Sequence, residues 1–305
     1  MARPIIIDTD PGIDDAVAIL LALASPELEV LGLVAVAGNV PLAITARNAA
    51  AILELAGRGD IPVHAGCPRP LGPDRLAAER SHGNEGLGDL VLPAPARMPR
   101  SQHGVAWLIE RLRGARPRSI TLCALGPLTN IATALVMDPG IAAGIAELVL
   151  MGGGSRGNVT PAAEFNIQAD PQAAEIVFDS GVAITMVPLD VTLTVRSTPE
   201  RVASIAALGT RCGAAAAQLL GRRRALAQPP MPMHDPCVIA YLLQPQAFAA
   251  RDVNVAIETG RGVTFGMTLI DWQGVSGRPA NARVLETADA DALYRLLAER
   301  LAALP

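Results

Sequence analysis

Short apolar runs alternate along the chain with segments in which apolar residues recur at helical spacing. The apolar runs are typical of buried strands, and the segments between them are typical of helices that pack on a sheet. Strands are predicted at residues 5–7, 30–36, 61–63, 119–125, 147–151 and 183–189, and helices at 16–24, 43–56, 103–113 and from Asp170 onward. This repeated strand–helix–strand order predicts an open α/β fold with a mostly parallel, doubly wound (Rossmann-like) sheet flanked by helices.

The last third of the chain has a less regular pattern. The predicted elements there are a mainly helical stretch over 199–245 that is interrupted at 222–224 and 229–236, strands near 252–258 and 263–270, and a closing helix from Asp289. No linker, low-complexity tract or internal repeat divides the sequence. We therefore expect residues 1–305 to form a single domain.

Composition narrows the class of protein. Half of the 305 residues are hydrophobic, which is enough to bury a large core, and the net charge of −4 makes nucleic acid and anionic membranes unexpected partners. All 25 basic residues are arginine, which excludes a Walker-type phosphate lysine and a Schiff-base lysine. No apolar run approaches the ~20 residues of a membrane span, and no signal-peptide pattern is present, so we expect a cytoplasmic protein.

The densest polar feature follows the first predicted strand, where Asp8, Asp10, Asp14 and Asp15 occur within eight positions. Asp14 and Asp15 open a predicted helix, where unpaired N–H groups and the helix dipole favour anions by roughly 0.3–1 kcal/mol each. Helix capping and a solvated turn would explain part of this cluster. They do not explain Asp8 and Asp10, which lie at the carboxyl end of a buried strand, the usual ligand side of such a sheet.

Carboxylates that converge on one point repel one another and raise their own pKa values unless a cation neutralises them. The neighbouring side chains offer oxygen atoms and no histidine or cysteine that would suit zinc. The cluster therefore predicts a site for a hard divalent metal, Ca²⁺ or Mg²⁺.

Three further polar positions each allow two interpretations. His234 and Asp235 follow a Pro- and Met-rich stretch, and they belong either to a site or to an ordinary helix cap. Glu164 and Asn166 lie either in a site or in a solvated turn, and His82 alone is a weak signal. Their combination with the acidic cluster favours a site.

Taken together, these motifs resemble the nucleoside hydrolase family, the inosine-uridine-preferring nucleoside N-ribohydrolases. The matching segments follow the family's order and span the chain: DTDPGIDDA at 8–16, AGN at 37–39, SHGNEGLG at 81–88, LGPLTNIA at 125–132, GNVTPAAEFN at 157–166 and HDPC at 234–237. The resemblance implies the nucleoside hydrolase fold. It also implies Ca²⁺-dependent hydrolysis of the N-glycosidic bond of ribonucleosides to ribose and free base, in nucleoside salvage.

The resemblance further implies roles for individual residues. Ca²⁺ would be held by Asp10, Asp15, Asp235 and the backbone carbonyl of Leu125. Asp10 would also take the proton of the attacking, metal-activated water, and His234, with His82 nearby, would protonate the departing base. The ribose-binding residues would be Asp14, Asn39, Asn158, Glu164 and Asn166.

Two alternatives to this activity stay open. One is a Mg²⁺-dependent phosphohydrolase that uses Asp8 and Asp10, although phosphate chemistry favours a basic clamp. The other is a non-catalytic ribose-binding protein. Residues 221–233 contain none of the aromatic residues that family members often place near the base, so the sequence does not predict a base preference. We expect a homodimer or homotetramer.

Overall fold

The computed structural model describes residues 2–72, 82–225 and 229–305. Its strands are β1 (Arg3–Thr9), β2 (Leu28–Ala35), β3 (Val63–Ala65), β4 (Ile120–Ala124), β5 (Ile145–Met151), β6 (Ile184–Val187), β7 (Phe248–Val253), β8 (Val255–Ile257), β9 (Thr268–Ile270) and β10 (Ala282–Ala288). Its α-helices are α1 (Ile13–Leu23), α2 (Leu42–Leu55), α3 (Gly104–Arg113), α4 (Thr129–Met137), α5 (Phe165–Ala169), α6 (Pro171–Phe178), α7 (Leu189–Thr192), α8 (Pro199–Ala206), α9 (Arg211–Ala225), α10 (Pro236–Leu243) and α11 (Ala290–Leu301). Short 3₁₀ helices occur at Pro139–Gly144 and Pro245–Ala247. In the described parts of the chain, no helix has the length and apolar character that crossing a membrane requires.

An eight-stranded sheet in the order β3-β2-β1-β4-β5-β6-β10-β7 forms the centre of the molecule. Its neighbouring strands run parallel except for β7, which pairs antiparallel with β10 at one edge. β8 and β9 form a separate antiparallel pair. The mostly parallel α/β sheet predicted from the sequence is confirmed.

Helices cover both faces of this sheet, and β1 shows why its sequence is a continuous apolar run. Ile5 and Ile7 pack on one face, in a core to which α1, α2, α9, α10 and α11 contribute. Ile6 packs on the other face, in a second core with α3, α4 and α6. A strand that is buried on both faces has no polar alternation, because neither face meets water.

The strand order reverses between β1 and β4. From β1 the chain proceeds to β2 and β3 on one side, whereas β4, β5 and β6 extend the sheet on the other side. The connections on the two sides therefore diverge and leave a crevice at the carboxyl ends of β1 and β4, which is the usual ligand position in an open α/β sheet. The acidic motif after β1 and Leu125 after β4 both lie at this crevice.

The predicted third strand was displaced by two residues. The sequence predicted strand at 61–63, whereas β3 begins at Val63. Pro62 has no N–H and pairs only through its carbonyl oxygen, which accepts a hydrogen bond from the Leu33 N–H at 2.9 Å.

Two predictions in the second half of the chain were also wrong in detail. Arg222–Arg224 do not interrupt the helical region, because α9 continues through them to Ala225. The predicted strand 252–258 is broken at Asn254 into β7 and β8, which belong to different sheets. β10 was missed, although it joins β7 to the parallel sheet.

Candidate active site

The connection from β1 to α1 is fixed by the carboxylate of Asp15. This carboxylate accepts hydrogen bonds from the Thr9 hydroxyl at 2.6 Å and from the backbone N–H groups of Gly12 at 2.9 Å and Asp10 at 3.3 Å. Asp14 and Asp15 lie in the first turn of α1 and are both buried. The capping interpretation therefore accounts for Asp15, and the same bonds position the acidic motif over the crevice.

Asp10 is held in a slot between two loops. Its Oδ2 accepts a hydrogen bond from the Asn39 N–H at 2.6 Å, and its buried Oδ1 has no hydrogen-bond partner among the described residues. A Cβ atom at Gly38 or at Gly126 would collide with this carboxylate. The two glycines, one after β2 and one after β4, thus permit the close approach of backbone that encloses Asp10.

Four buried carboxylates, those of Asp10, Asp14, Asp15 and Asp235, gather in this crevice. Asp14, Asp15 and Asp235 each offer an oxygen atom, and these atoms lie within 4.8 Å of one another. Burial raises the pKa of Asp10, and repulsion by Asp15 raises it further; the pKa of Asp235 is raised by burial and by its three acidic neighbours. A group of this kind is stabilised by a cation, which would offset the desolvation and the repulsion together.

The ligand atoms that the acidic group offers are all carboxylate oxygens, which fits a hard divalent cation such as Ca²⁺ or Mg²⁺. The predicted ligands Asp10, Asp15 and Asp235 all belong to the acidic group, and Asp14, predicted to bind ribose, lies in its tightest part. The Leu125 carbonyl accepts a hydrogen bond from Asn166 Nδ2 at 2.8 Å, and its second lone pair is available to a cation. The partnerless Oδ1 of Asp10 is a further oxygen that a cation would satisfy.

Asp8 does not join this group, contrary to the convergence predicted for the four N-terminal carboxylates. It lies within β1 on the face of Ile6, where its Oδ2 accepts a hydrogen bond from Asn130 Nδ2 of α4 at 2.8 Å. Asp10 lies beyond the end of the strand, so side-chain alternation no longer relates the two residues. Asp235 is the fourth carboxylate instead.

Burial raises the pKa of Asp8 to about 8, from 3.8 in an unfolded chain. Its other oxygen, Oδ1, has no hydrogen-bond partner among the described residues. A carboxyl group enclosed in this way is poorly placed to act as a nucleophile, which argues against a phospho-aspartate at Asp8.

We predict that Asp8→Asn stabilises the metal-free protein at pH 8 by on the order of 2 kcal/mol, and by less at pH 5. The folded wild type retains the Asp8 proton up to about pH 8, whereas the unfolded chain loses it near pH 3.8. The free energy of unfolding of the wild type therefore falls as the pH rises through this window, and asparagine, which does not ionise, removes that loss. Urea unfolding in the presence of a chelator measures both proteins, and an equal difference at pH 5 and pH 8 would contradict the prediction.

The predicted ribose-binding residues surround the acidic group. Asn39 Nδ2 donates to the Asp10 carbonyl at 3.2 Å and to Asp15 Oδ2 at 3.3 Å. Asn166 Nδ2 donates to the carbonyl oxygens of Leu125 at 2.8 Å and Met151 at 3.1 Å. Both amides are therefore fixed by the same loops that hold the carboxylates.

Glu164 and Asn158 order the loop after β5. The Glu164 carboxylate caps α5 and accepts hydrogen bonds from the N–H groups of Asn166 at 3.0 Å, Ile167 at 3.2 Å and Gly153 at 2.9 Å. Burial raises the pKa of this carboxyl to about 7. Asn158 Oδ1 accepts a hydrogen bond from the Phe165 N–H at 3.0 Å. The solvated-turn interpretation fails for Glu164 and Asn166, which are buried.

The two predicted histidines use the same ring nitrogen to contact the protein. His82 Nδ1 accepts a hydrogen bond from the Ile13 N–H at 3.1 Å, at the beginning of α1. His234 Nδ1 lies 2.8 Å from the hydroxyl of Thr192, at the end of α7. Their catalytic roles stay predictions. The helix-cap interpretation of Asp235 is wrong in one respect, since its side chain makes no capping hydrogen bond to α10.

Asn130 and Thr192 were not predicted from the sequence, although they hydrogen-bond to Asp8 and His234 respectively. Asn130 lies in the LGPLTNIA motif. Its Nδ2 donates a hydrogen bond to Asp8, and its Oδ1 accepts a hydrogen bond from the Cys67 N–H at 2.7 Å. Thr192 lies at the end of α7, beyond β6, and Asp190 is the first polar residue after that strand, so no local signal in the sequence singles out Thr192.

Comparison with known proteins places this geometry in a family. Residues 5–295 match the family described as inosine-uridine preferring nucleoside hydrolase. The chain belongs to this family. An uncharacterized protein of Schizosaccharomyces pombe is 46% identical over 308 residues and is matched over 99% of both chains. A pyrimidine-specific ribonucleoside hydrolase RihA from Shewanella sp. (strain ANA-3) is 44% identical over 309 residues, which cover 99% of this chain and 97% of the relative.

Solved structures of nucleoside hydrolases have the same fold. The plant nucleoside hydrolase PpNRh1 superposes with a TM-score of 0.90 at 34% identity, over 99% of both chains. A purine-preferring ribonucleoside hydrolase from Gardnerella vaginalis superposes with a TM-score of 0.89 at 30% identity, over 98% of both chains. The predicted family, fold class and enzyme class are confirmed.

Proposed function

We propose that this nucleoside hydrolase uses Ca²⁺ to cleave the N-glycosidic bond of ribonucleosides, releasing ribose and the free base. The observation that carries this proposal is the group of four buried carboxylates at the crevice, with the Oδ1 of Asp10 lacking a partner among the described residues. The ion would be held by Asp10, Asp15, Asp235 and the Leu125 carbonyl. When bound, it supplies positive charge that neutralises the carboxylates, lowers the pKa of water and orients the ribose hydroxyls.

Asp10 is the residue to which we assign the proton of the attacking water. The Asn39 N–H holds Oδ2, so Oδ1, which has no hydrogen-bond partner among the described residues, is the oxygen left to accept a proton. Burial and the neighbouring carboxylates raise the pKa of this carboxyl in the metal-free protein, and a bound cation would favour its ionised form, which is the form that can take a proton from water. We assign the ribose hydroxyls to Asp14, Asn39, Asn158, Glu164 and Asn166, which present carboxylate and amide groups in fixed orientations.

The partners of the two histidines support different roles for them. The backbone N–H of Ile13 can only donate, so His82 Nδ1 carries no proton while that hydrogen bond is made, and His82 is limited to donating from Nε2. The Thr192 hydroxyl can donate or accept, so His234 can carry protons on both ring nitrogens. We therefore assign protonation of the departing base to His234 and an auxiliary hydrogen bond to His82.

For the base, we propose a preference for pyrimidine ribonucleosides. Support comes from relatives named as pyrimidine-specific, which are 42–44% identical over almost the whole chain, against 30% for the purine-preferring structure. We further propose that residues 1–305 act as one catalytic domain, since β1 and β10, which lie near the two ends of the chain, belong to the same eight-stranded sheet. The homodimer or homotetramer and the cytoplasmic location stay predictions.

Assay of the purified protein with added Ca²⁺ tests this function. We expect release of ribose from uridine, cytidine, inosine, guanosine and adenosine to be fastest, as kcat/KM, for the two pyrimidine nucleosides. No ribose from any of the five would refute hydrolysis itself. Faster turnover of the purine nucleosides would refute only the base assignment.

His234→Ala extends the same experiment to the acid. We expect its kcat for uridine to fall ~10²–10⁴-fold, the usual contribution of a general acid. Turnover of p-nitrophenyl riboside should change only a few-fold, because p-nitrophenolate leaves without a proton. Asp235→Asn is the control, since loss of a metal ligand should slow both substrates. Equal losses for the two substrates in His234→Ala would contradict the acid role.

A further inference from the structure

Helix α7, which follows β6, ends at Thr192, and the hydroxyl of Thr192 contacts the imidazole ring of His234. Thr192 is completely buried, and its Oγ1 lies 2.8 Å from His234 Nδ1. Burying a hydroxyl without a partner is unfavourable, so this hydrogen bond holds both side chains in place. Neither Thr192 nor α7 belongs to any of the six sequence motifs that carry the resemblance to the family.

The backbone around His234 is fixed independently of its ring. The Met233 N–H donates to the Val195 carbonyl at 2.7 Å, and the Cys237 N–H donates to the His234 carbonyl at 3.1 Å. Ser197 extends this pairing, since its N–H donates to the Met231 carbonyl at 2.8 Å. With the main chain held on both sides, the side-chain torsions of His234 set the orientation of its ring, and the hydrogen bond to Thr192 places the Nδ1 edge of the ring against α7.

We propose that Thr192 is the positioning residue of His234: it binds Nδ1 and so directs Nε2 toward the departing base. A threonine hydroxyl suits this task because it can accept a hydrogen bond from Nδ1–H or donate one to a bare Nδ1. When the hydroxyl accepts from Nδ1–H, that proton stays on Nδ1 as Nε2 gives up its own, so the ring keeps one orientation before and after the transfer. This inference rests on the acid role assigned to His234 above.

Thr192→Val tests the proposal, because valine has nearly the same shape and lacks the hydroxyl. We expect kcat for uridine to fall roughly 10- to 100-fold, as for other residues that orient a functional histidine, with KM changed less than about 3-fold. Turnover of p-nitrophenyl riboside should stay within about 2-fold. Thr192→Ser, which restores the hydroxyl, should recover most of the uridine activity.

Two controls separate orientation from general damage to the fold. Thr194→Val removes a neighbouring hydroxyl that donates to the Val191 carbonyl at 2.7 Å and should leave both substrates unaffected. In the double variant Thr192→Val/His234→Ala, uridine turnover should be no lower than in His234→Ala alone, since a positioning residue has no effect once its target is absent.

The outcomes distinguish failure of the acid role of His234 from failure of the positioning role of Thr192. If His234→Ala slows both substrates alike, the acid role fails and the positioning role fails with it. If His234→Ala is selective for uridine but Thr192→Val slows both substrates equally, or adds its loss to that of His234→Ala, Thr192 is a packing residue and only the present inference is overturned. Should the valine variant unfold, Thr192→Ala measured against Thr192→Ser gives the same comparison.

Discussion

Replacing Asp10 with asparagine is expected to lower kcat for uridine by about 10⁴-fold, the upper end for loss of a general base. The amide has nearly the same size and can still accept the hydrogen bond from the Asn39 N–H through its oxygen. It cannot take a proton from water, and it removes one negative charge from the group that would hold the cation. Steady-state kinetics with Ca²⁺ in excess measure the catalytic loss, and calorimetric titration with Ca²⁺ measures the change in affinity.

Asp8→Asn provides a matched control for this experiment. It removes an equally buried carboxylate two positions earlier, whose contact is with Asn130 rather than with the acidic group. We expect its kcat to stay within a few-fold of the wild type. Activity of Asp10→Asn within about 10-fold of the wild type would exclude Asp10 as the base, and full wild-type activity after exhaustive chelation would exclude the metal.

The second large effect is discrimination against 2′-deoxyuridine. We expect kcat/KM for 2′-deoxyuridine to be ~10⁴–10⁵-fold lower than kcat/KM for uridine. The crevice presents Asp14, Asn39 and Asn166 as buried polar groups, and hydrogen bonds to neighbouring backbone carbonyls fix the two amides. A substrate without the 2′-hydroxyl would leave such groups desolvated and unpaired, which costs more than the loss of one hydrogen bond to water. Parallel assays of ribose and deoxyribose release measure the ratio.

Asn166→Ala provides a second test of discrimination against 2′-deoxyuridine. The variant should lose more activity on uridine than on 2′-deoxyuridine, so the ratio of the two should narrow. Its Leu125 carbonyl also loses a donor, so Ca²⁺ affinity must be measured alongside. Comparable kcat/KM for uridine and 2′-deoxyuridine in the wild type would refute the ribose assignments.

Much of the fold could be predicted because its strands are buried on both faces. Ile5, Ile6 and Ile7 form an apolar run of a kind that a half-exposed strand would not have, and the acidic turn marks where the strand stops. β10 was not predicted because the strands were predicted from uninterrupted apolar runs, and Arg283 and Glu286 interrupt the apolar residues of β10. The arginine run at 222–224 was predicted to interrupt the helical region, but arginine is a good helix former and α9 continues through the run.

Only the part of the site that is local in sequence could be predicted from the residues alone, whereas the roles of Asp235, Glu164 and Asn166 were predicted from the family resemblance. The Asp10–Asp15 turn is a property of adjacent residues, and its carboxylates could be placed from the strand, the turn and the helix dipole. Asp8 was misassigned because β1 ends at Thr9, so strand alternation does not relate Asp8 to Asp10, and the partner of Asp8, Asn130, is distant in sequence. The contact between Thr192 and His234 depends on the same kind of tertiary information, since it joins the end of β6 to the loop before α10.

The acidic group draws its members from almost the whole length of the chain. Asp10, Asp14 and Asp15 emerge first during synthesis, whereas Asp235 follows only after most of the sheet has been made. A nascent or truncated chain that ends before α10 can form the β1–α1 turn but has one carboxylate fewer at the crevice. Full affinity for a cation would therefore be acquired late in biogenesis, and the ion would select completed molecules over partly folded ones.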